Sequence, residues 1–223
     1  MKELLKTLFL PPRCPYCNEV LGFIPECEKC KIKLPELRCI PDPIERDDVH
    51  FIKEAYAVYY YRYPIKNAIW RLKYNDEPEL ADVFGVEMAK LVQQFALNPS
   101  LIVPVPARKK KIRARGYSAQ ALLAERIGKE LNIPVSNEVL EKIMDTQDQH
   151  HLSERERKVN LLGAFEVRDF RTVRGKRILL VDDVFTTGAT VDECAKMLLA
   201  AGAVRCDVVC FAEAEEKTQF GVV

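Results

Sequence analysis

The stretch Arg177-Ile178-Leu179-Leu180-Val181-Asp182-Asp183-Val184-Phe185-Thr186-Thr187-Gly188-Ala189-Thr190 decides the fold of this 223-residue chain. Its apolar run, Ile178 to Val181, predicts a buried parallel strand. Two carboxylates stand where that strand is expected to leave the sheet, and a turn rich in hydroxyl groups follows. Apolar residues spaced from Val191 to Leu199 then predict an amphipathic helix. The order strand, turn, helix indicates an α/β fold with a parallel sheet.

The turn has the composition of a phosphate site. Free N–H groups at a helix start and the positive end of the helix dipole both favour an anion. Gly188 allows a positive φ and a close approach of the backbone to the ligand, and the threonine hydroxyls add donors. Ionised carboxylates would repel a phosphate, so we expect Asp182 and Asp183 to face sugar hydroxyls or a hydrated Mg²⁺. A phosphorylated sugar satisfies both halves of this site.

The composition is that of a globular protein, with 48% hydrophobic and 30% charged residues. The net charge is only +1, so affinity for nucleic acid would have to come from a local patch. The sequence has no apolar run of the roughly 20 residues that a membrane helix needs. The start, 1–12, carries Glu3 and Lys6 within its apolar stretch, which favours an amphipathic helix over a signal peptide. We therefore expect no membrane insertion and a cytoplasmic protein.

Two Cys-x-x-Cys pairs lie in the first 30 residues, with nine residues between them. Four thiolates at this spacing can close a tetrahedral zinc site, and so short a segment has little core of its own without metal. A pair of disulfides is disfavoured by a cytoplasmic location, and an iron site is the other alternative. We predict structural zinc, with Cys39 left as a spare thiol. The predicted ligands are Cys14, Cys17, Cys27 and Cys30.

A proline- and charge-rich linker, 40–50, separates this segment from the rest. We therefore predict a four-cysteine zinc-binding domain with its linker at 1–50 and a second domain at 51–223. In the second domain, hydrophobic periodicity and the residues that start or stop helices predict further strands and helices. These are strands near Glu54–Tyr61, Leu101–Pro106, Glu138–Met144 and Val204–Phe211, a small strand pair at Phe165–Phe170, and helices at Pro64–Tyr74, Glu77–Phe95 and Tyr117–Leu131.

A run of six cations in eight residues follows the strand at Leu101–Pro106. Such a run is usually a solvated face. Here it lies at the carboxyl edge of a predicted parallel sheet, where ligands bind in open α/β folds. That position favours an anion site, for either a pyrophosphate or a nucleic-acid backbone. The candidate nucleic-acid residues are Lys109, Lys110, Lys111, Arg113 and Arg115. Farther on, the first half of the polar stretch Asp145–Asn160 predicts a mobile loop, and Ser153 is a candidate cap for a short helix after it.

Together these features resemble the ComF family, the ComFC/GntX-like group of amidophosphoribosyltransferase-related proteins. The stretch Val181–Thr190 is similar to the phosphoribosyl-diphosphate (PRPP) motif of type I phosphoribosyltransferases. The other matching features extend over most of the chain. They are the double Cys-x-x-Cys, Leu72-Lys73-Tyr74, Val103-Pro104-Val105-Pro106, Arg115-Gly116-Tyr117, and Thr146 to Asn160. The family commonly has Arg-Gly-Phe-Asn-Gln where this chain has Arg115-Gly116-Tyr117-Ser118-Ala119-Gln120.

The resemblance implies a type I phosphoribosyltransferase-like parallel sheet flanked by helices. It also implies that the paired acids hold the ribose and that the turn holds the 5′-phosphate of Mg²⁺–PRPP. A flexible lid would include Thr146, Gln149, Arg155 and Arg157. The expected PRPP-binding residues are Lys73, Arg108, Asp182, Asp183, Thr186, Thr187, Gly188, Ala189 and Thr190.

Two functions follow from this resemblance. The first is a PRPP-binding protein of natural competence, which handles single-stranded DNA in the cytosol beside a helicase-like partner. The second is an active phosphoribosyltransferase, in which Asp182 and Asp183 are catalytic and stabilise positive charge at the sugar. No pocket for a particular acceptor is evident in the sequence.

Overall fold

The computed structural model of the chain describes residues 11–21, 27–39, 42–143 and 163–214. Its helices are α1 (Glu28–Leu37), α2 (Ile65–Tyr74), α3 (Leu80–Gln94), α4 (Lys109–Arg115), α5 (Ala119–Leu131), α6 (Phe170–Val173) and α7 (Ala189–Ala200). Its strands are β1 (Ala55–Tyr60), β2 (Leu101–Pro104), β3 (Leu140–Lys142), β4 (Phe165–Val167), β5 (Arg177–Phe185) and β6 (Arg205–Glu213).

Four parallel strands form the main sheet, in the order β1-β6-β5-β2. Strand β5 is central, and its Leu180 lies between Val103 of β2 and Val208 of β6. Both faces of β5 are buried because helices cover both sides of the sheet. Helices α2, α3 and α5 pack on one face, while α7 and the β3–β4 pair pack on the other. The predicted parallel sheet flanked by helices is therefore confirmed.

Strand β5 is longer than the apolar run Ile178–Val181 predicts. The expectation that Asp182 and Asp183 lie beyond the end of the strand is therefore wrong. Strand β2 ends at Pro104, opposite Val181, but β6 continues alongside β5 as far as Glu213, opposite Phe185. One neighbour is enough to keep a strand in its ladder. The two acids therefore lie within β5, on opposite faces, at the point where β2 no longer covers the edge.

The cationic run that begins at Arg108 forms a helix, α4, which begins shortly after β2 ends. Strands β3 and β4 pair antiparallel, with Leu140 opposite Val167 and Lys142 opposite Phe165. This pair packs beside α7 rather than joining the main sheet. The mobile loop predicted at Asp145–Asn160 and the helix predicted in the first ten residues lie outside the described residues.

The cysteine-bearing N-terminal segment packs directly against the sheet and α3. The ring of Tyr16 lies edge-on to Tyr59 at 6.1 Å and stacks on Phe84 at 6.3 Å between centroids. Leu37 of α1 is 3% exposed and belongs to the same core. The division at residue 50 stays a prediction. Within the described ranges, no helix combines the length and the apolar character that crossing a bilayer requires.

Candidate functional site

The two acids of β5 are held by side chains from two helices. Lys73 of α2 donates from Nζ to Oδ1 of Asp183 at 2.5 Å, and Asp183 is only 3% exposed. Gln120 of α5 donates from Nε2 to Oδ2 of Asp183 at 2.9 Å and to Oδ1 of Asp182 at 3.2 Å. The Asp183 amide also donates to Oδ1 of Asp182 at 2.8 Å. A lysine, an amide and two carboxylates thus meet at the open edge of β5.

Gln120 is the member of this cluster that sequence reasoning missed. The segment Arg115–Gln120 belongs to the family resemblance, but the sequence assigns Gln120 no role. Gln120 lies more than 60 positions from both acids in the chain, so the hydrophobic periodicity of the sequence does not indicate the contact. Ser118 caps α5 by accepting from the Ala121 amide, and this cap sets the helix start that aims Gln120 at the acids.

Burial and neighbouring charges shift the pKa values of Lys73 and Asp182, and the two groups differ in their charge state near neutral pH. Burial, followed by the charge of Asp183, raises the pKa of Asp182 to about 7, although Lys73 and Gln120 act against the rise. Burial by itself lowers the pKa of Lys73, yet the neighbouring charges of Asp183 and Asp182 raise it overall. Lys73 is therefore a cation at neutral pH, and Asp182 is a carboxyl that titrates in the physiological range.

The threonine–glycine turn follows β5 directly and opens helix α7. Gly188 has φ +78° at the helix N-cap. A Cβ on this residue would lie 2.5 Å from Cγ2 of Val49 and 2.8 Å from Cζ of Phe185. Thr187 accepts from the Ala189 amide at 3.4 Å. The turn thus needs glycine for two reasons, its left-handed backbone and the lack of space behind it.

Part of the predicted linker covers the back of this turn. Besides the contact of Val49 with Gly188, the amides of His50 and Phe51 donate to Oδ1 of Asp192 at 3.0 and 2.7 Å. Asp192 lies in the first turn of α7 and is 8% exposed. The segment around residue 50 therefore supports the turn that the sequence predicts to bind phosphate. Its composition did not predict this role.

A basic cleft of about 580 Å³ lies between α4 and the β3–β4 pair. Glu141 pairs with both Lys109 and Arg168 across the cleft. The lining cations are Arg108, Lys109, Lys110, Arg113, Lys142 and Arg168. Sequence reasoning found the α4 wall but missed Lys142 and Arg168, which are separated from it along the chain.

The predicted nucleic-acid residues do not all face this cleft. Lys109, Lys110 and Arg113 line it, whereas Lys111 does not. The Arg115 guanidinium instead lies over the ring of Tyr74, 4.6 Å from the ring centroid. Because a helix presents its residues in all directions, a run of cations cannot form one surface.

The predicted PRPP-binding residues separate into two places. Lys73 contacts the acids directly, the turn from Thr186 to Thr190 continues from their strand, and Arg108 lines the basic cleft. A second cavity of about 630 Å³ runs from Pro104 and Val105 at the end of β2 to that cleft, and it shares Lys109 and Arg168 with it. The predicted lid residues, Thr146, Gln149, Arg155 and Arg157, lie outside the described residues.

The four predicted metal ligands come together as one cluster. Their sulfur atoms all lie within 4.8 Å of one another, with Cys14 to Cys30 at 3.6 Å and Cys17 to Cys27 at 3.5 Å. A tetrahedron of thiolates at zinc bonds of about 2.3 Å has sulfurs roughly 3.8 Å apart. The cluster therefore fits a four-coordinate metal. Cys39 lies apart from it, with its sulfur 3.9 Å from Glu213.

Residues 73–220 match the phosphoribosyl transferase domain. Because this match covers more than half of the sequence, the chain belongs to the phosphoribosyl transferase domain family. The match begins at Lys73 and includes both acids, Gln120 and the glycine turn. The family and the parallel sheet agree with the fold predicted from the sequence.

Relatives over most of the chain confirm the predicted resemblance to the ComF family. Competence protein F of Haemophilus influenzae is 29% identical over 205 residues, which are 85% of each chain. The DNA utilization protein YhgH of Escherichia coli K12 is 31% identical over 82% of each chain. Competence protein ComFC of Bacillus subtilis is 23% identical, over 85% of this chain and 72% of that protein.

Solved structures show a more distant likeness. A glutamine PRPP amidotransferase from Bacillus subtilis, complexed with ADP and GMP, is 19% identical. The match covers 59% of this chain and 26% of that one, with a TM-score of 0.42. The purine phosphoribosyltransferase of Pyrococcus horikoshii is 18% identical over 59% of this chain and 71% of that one, with a TM-score of 0.38.

Proposed function

We propose that this chain is a PRPP-binding protein of natural competence that handles single-stranded DNA in the cytoplasm. The observation that carries the proposal is the meeting of Lys73, Gln120 and two carboxylates immediately before a glycine-centred turn. These groups offer a cation, a pair of acceptors and a helix N-terminus along one edge, which matches a phosphorylated sugar that carries pyrophosphate.

Each part of PRPP has its own partners in this arrangement. Asp182 and Asp183 accept from the ribose hydroxyls, and the turn from Thr186 through Thr187, Gly188 and Ala189 to Thr190 holds the 5′-phosphate. Lys73 and Arg108 lie on the pyrophosphate side. Bound Mg²⁺ would neutralise charge on the pyrophosphate, and the acid-rich edge of β5 is compatible with an oxygen-ligated cation nearby.

The cysteine cluster serves as a structural zinc site in this proposal. All four ligand positions are taken by thiolates, which leaves no open position for catalysis. The cluster with its linker, 1–50, forms a zinc-binding unit that packs on the phosphoribosyltransferase domain, 51–223. The stacking of Tyr16 on Phe84 supports this packing.

The names of the relatives and the basic cleft both support the link to DNA. Among the described residues that line the cleft, six are cations and Glu141 is the one acid, so the cleft attracts a chain of phosphates. Of the predicted set, Lys109, Lys110 and Arg113 line the cleft, and Arg108, Lys142 and Arg168 join them there. A helicase-like partner would deliver or receive the strand.

We expect single-stranded DNA to bind in the cleft with affinity that falls steeply as salt rises. The doubly substituted Lys110→Glu/Arg113→Glu protein should bind more weakly, and the slope of log K against log salt should lose about 1.4 if both cations contact phosphates. Fluorescence anisotropy with a labelled oligonucleotide over a salt series measures both quantities.

Lys66→Glu/Lys129→Glu is the matched control, since it changes the same total charge at exposed positions outside the cleft. Equal weakening by the two double variants would mean that net charge, and not the cleft, governs binding. Retained PRPP binding in the cleft variant would separate DNA affinity from the sugar site.

Enzymatic transfer of phosphoribose to an acceptor is the second candidate, favoured by the intact acid pair. Breaking the C1–O bond sends its electron pair to pyrophosphate and builds positive charge at the sugar, which Asp182 and Asp183 stabilise. We expect Asp183→Asn to lower pyrophosphate release from Mg²⁺–PRPP by at least about a hundredfold. A pyrophosphate assay with candidate nucleotide-metabolism acceptors tests this, and an unchanged rate in Asp183→Asn would remove the enzymatic role.

The affinity for Mg²⁺–PRPP should rise about tenfold between about pH 6 and pH 8. Ribose hydroxyls need an ionised Asp182, and burial raises the pKa of this carboxyl to about 7. Below that pH, binding must expel a proton. By the same linkage, the neutral carboxyl stabilises the ligand-free protein at low pH, and this contribution is lost as the pH rises from about 4 to about 7.

Calorimetry at three pH values measures this change. Asp182→Asn is the control, because it keeps only the pH dependence of the ligand's own phosphates. Identical profiles in the two proteins would show that Asp182 does not titrate on binding.

A further inference from the structure

A buried arginine joins the cysteine cluster to helix α2. Arg71 is 6% exposed, and its Nη1 donates to the carbonyl oxygens of Cys14 and Pro15, both at 3.2 Å. Its Nε lies 3.0 Å from each carboxylate oxygen of Glu77. The guanidinium is thus bonded to the backbone of one predicted metal ligand on one side and to an acid on the other.

The same turn of α2 reaches the acid pair. Lys73 is two residues beyond Arg71 and bonds Asp183 at 2.5 Å. Between them, Leu72 is fully buried, and its carbonyl accepts from the Tyr117 hydroxyl at 2.7 Å. The last turn of α2 is therefore fixed at three consecutive residues, of which Arg71 is the one tied to the cysteine cluster.

Because Arg71 is a buried charge, its hydrogen bonds to the carbonyls of Cys14 and Pro15 are costly to break. A guanidinium that loses two of its acceptors inside the protein incurs a desolvation cost that its remaining pair with Glu77 offsets only in part. If the loop at Cys14 and Pro15 moves, Arg71 must move to find new acceptors. The helix turn that carries Lys73 then moves with it.

We propose that Arg71 is a positioning residue that couples metal occupancy of the cysteine cluster to PRPP binding. The folded cluster presents the carbonyls of Cys14 and Pro15, Arg71 holds the end of α2 against them, and Lys73 is thereby aimed at Asp183. The cluster then regulates the sugar site from outside it. This inference rests on the proposed PRPP-binding function and adds regulation to it.

The test is a double-mutant cycle with metal as one of its two changes. In the wild-type full chain loaded with zinc, removal of the metal by a chelator should lower Mg²⁺–PRPP affinity by about tenfold. Arg71→Met should lower affinity to a similar extent while metal content stays unchanged. Chelation of Arg71→Met should then have little further effect. Calorimetry gives the affinities, and metal analysis gives the content.

Arg126→Met is the matched control, because Arg126 pairs with Asp82 and Glu130 at the surface, away from the cluster. It should keep wild-type affinity and full sensitivity to the chelator. Arg71→Lys keeps the charge without the fork of donors and should retain part of the coupling, which guards against a Met variant that fails to fold. Full chelator sensitivity in a folded Arg71→Met protein would overturn the proposal, as would an Arg71→Lys protein whose PRPP affinity falls while its chelator sensitivity stays full.

Hydrogen exchange separates this inference from the proposed function. The Asn75 amide bonds the Arg71 carbonyl at 3.0 Å and reports on the end of α2 without any ligand. Its protection should fall on chelation in the wild type. If PRPP does not bind but protection falls, the proposed function fails, while the structural link from the cysteine cluster through Arg71 to the end of α2 stands. If protection and affinity are both unchanged in metal-free folded protein, the coupling is wrong.

Discussion

Replacing Gly188 by alanine is expected to lower the affinity for Mg²⁺–PRPP by at least about a hundredfold. The residue has φ +78°, where a Cβ costs energy, and the added atom would lie 2.5 Å from Val49 and 2.8 Å from Phe185. The backbone of the turn must move to relieve these contacts. Such a shift displaces the N–H groups that we propose hold the phosphate, so it should weaken binding more than folding. Calorimetry with PRPP and magnesium measures the loss.

Gly175→Ala is the control for backbone strain alone. Gly175 has φ +73°, but nothing lies within 4 Å of a Cβ built on it, and it precedes the far end of β5. Its replacement should lower the free energy of unfolding by about 1 kcal/mol and leave PRPP affinity unchanged. Wild-type affinity in Gly188→Ala would contradict the assignment of the turn to the phosphate.

The Cys14→Ser/Cys30→Ser protein is expected to lose its bound metal and at least about 3 kcal/mol of unfolding free energy. Both sulfurs belong to the cluster, and these residues are 1% and 4% exposed. Among the described residues of this segment, the apolar contacts with the main core come from Tyr16, Leu34 and Leu37, so few such contacts hold it on the sheet without metal. Metal analysis of the purified protein and thermal unfolding measure the two losses.

Cys39→Ser provides the matched control, since this thiol belongs to the same segment but lies outside the cluster. It should keep the full metal content and change stability by less than about 1 kcal/mol. A folded Cys14→Ser/Cys30→Ser protein that still held one metal per chain would show that the ion binds elsewhere.

The sequence predicted the parts of the site that are formed by residues close to one another in the chain. An apolar run predicts a buried strand, and glycine among threonines predicts a helix start with free N–H groups. Two Cys-x-x-Cys pairs predict a cluster because each pair already brings two sulfurs together. For these features, neighbours in sequence are also neighbours in space.

The contacts that complete the site join residues far apart in the chain. Lys73 and Asp183 are 110 residues apart, and Arg71 lies 57 residues from Cys14. No pattern within one helix or strand contains such a pair. The length of β5 also depended on β6, whose continued ladder kept the acids inside the strand.

The sequence by itself determined the family, the parallel sheet, the four clustered cysteines and the strand–turn–helix that carries the acids. The family follows from the resemblance of its motifs, and the other features follow from hydrophobic periodicity, backbone preferences and motif spacing, which act over a few residues. Tertiary structure alone decided that Gln120 and Lys73 meet the acids and that Lys142 and Arg168 face α4. It also placed Arg71 against the carbonyls of Cys14 and Pro15. These contacts are determined by the strand order and the helix packing, because both bring together surfaces that are distant in the chain.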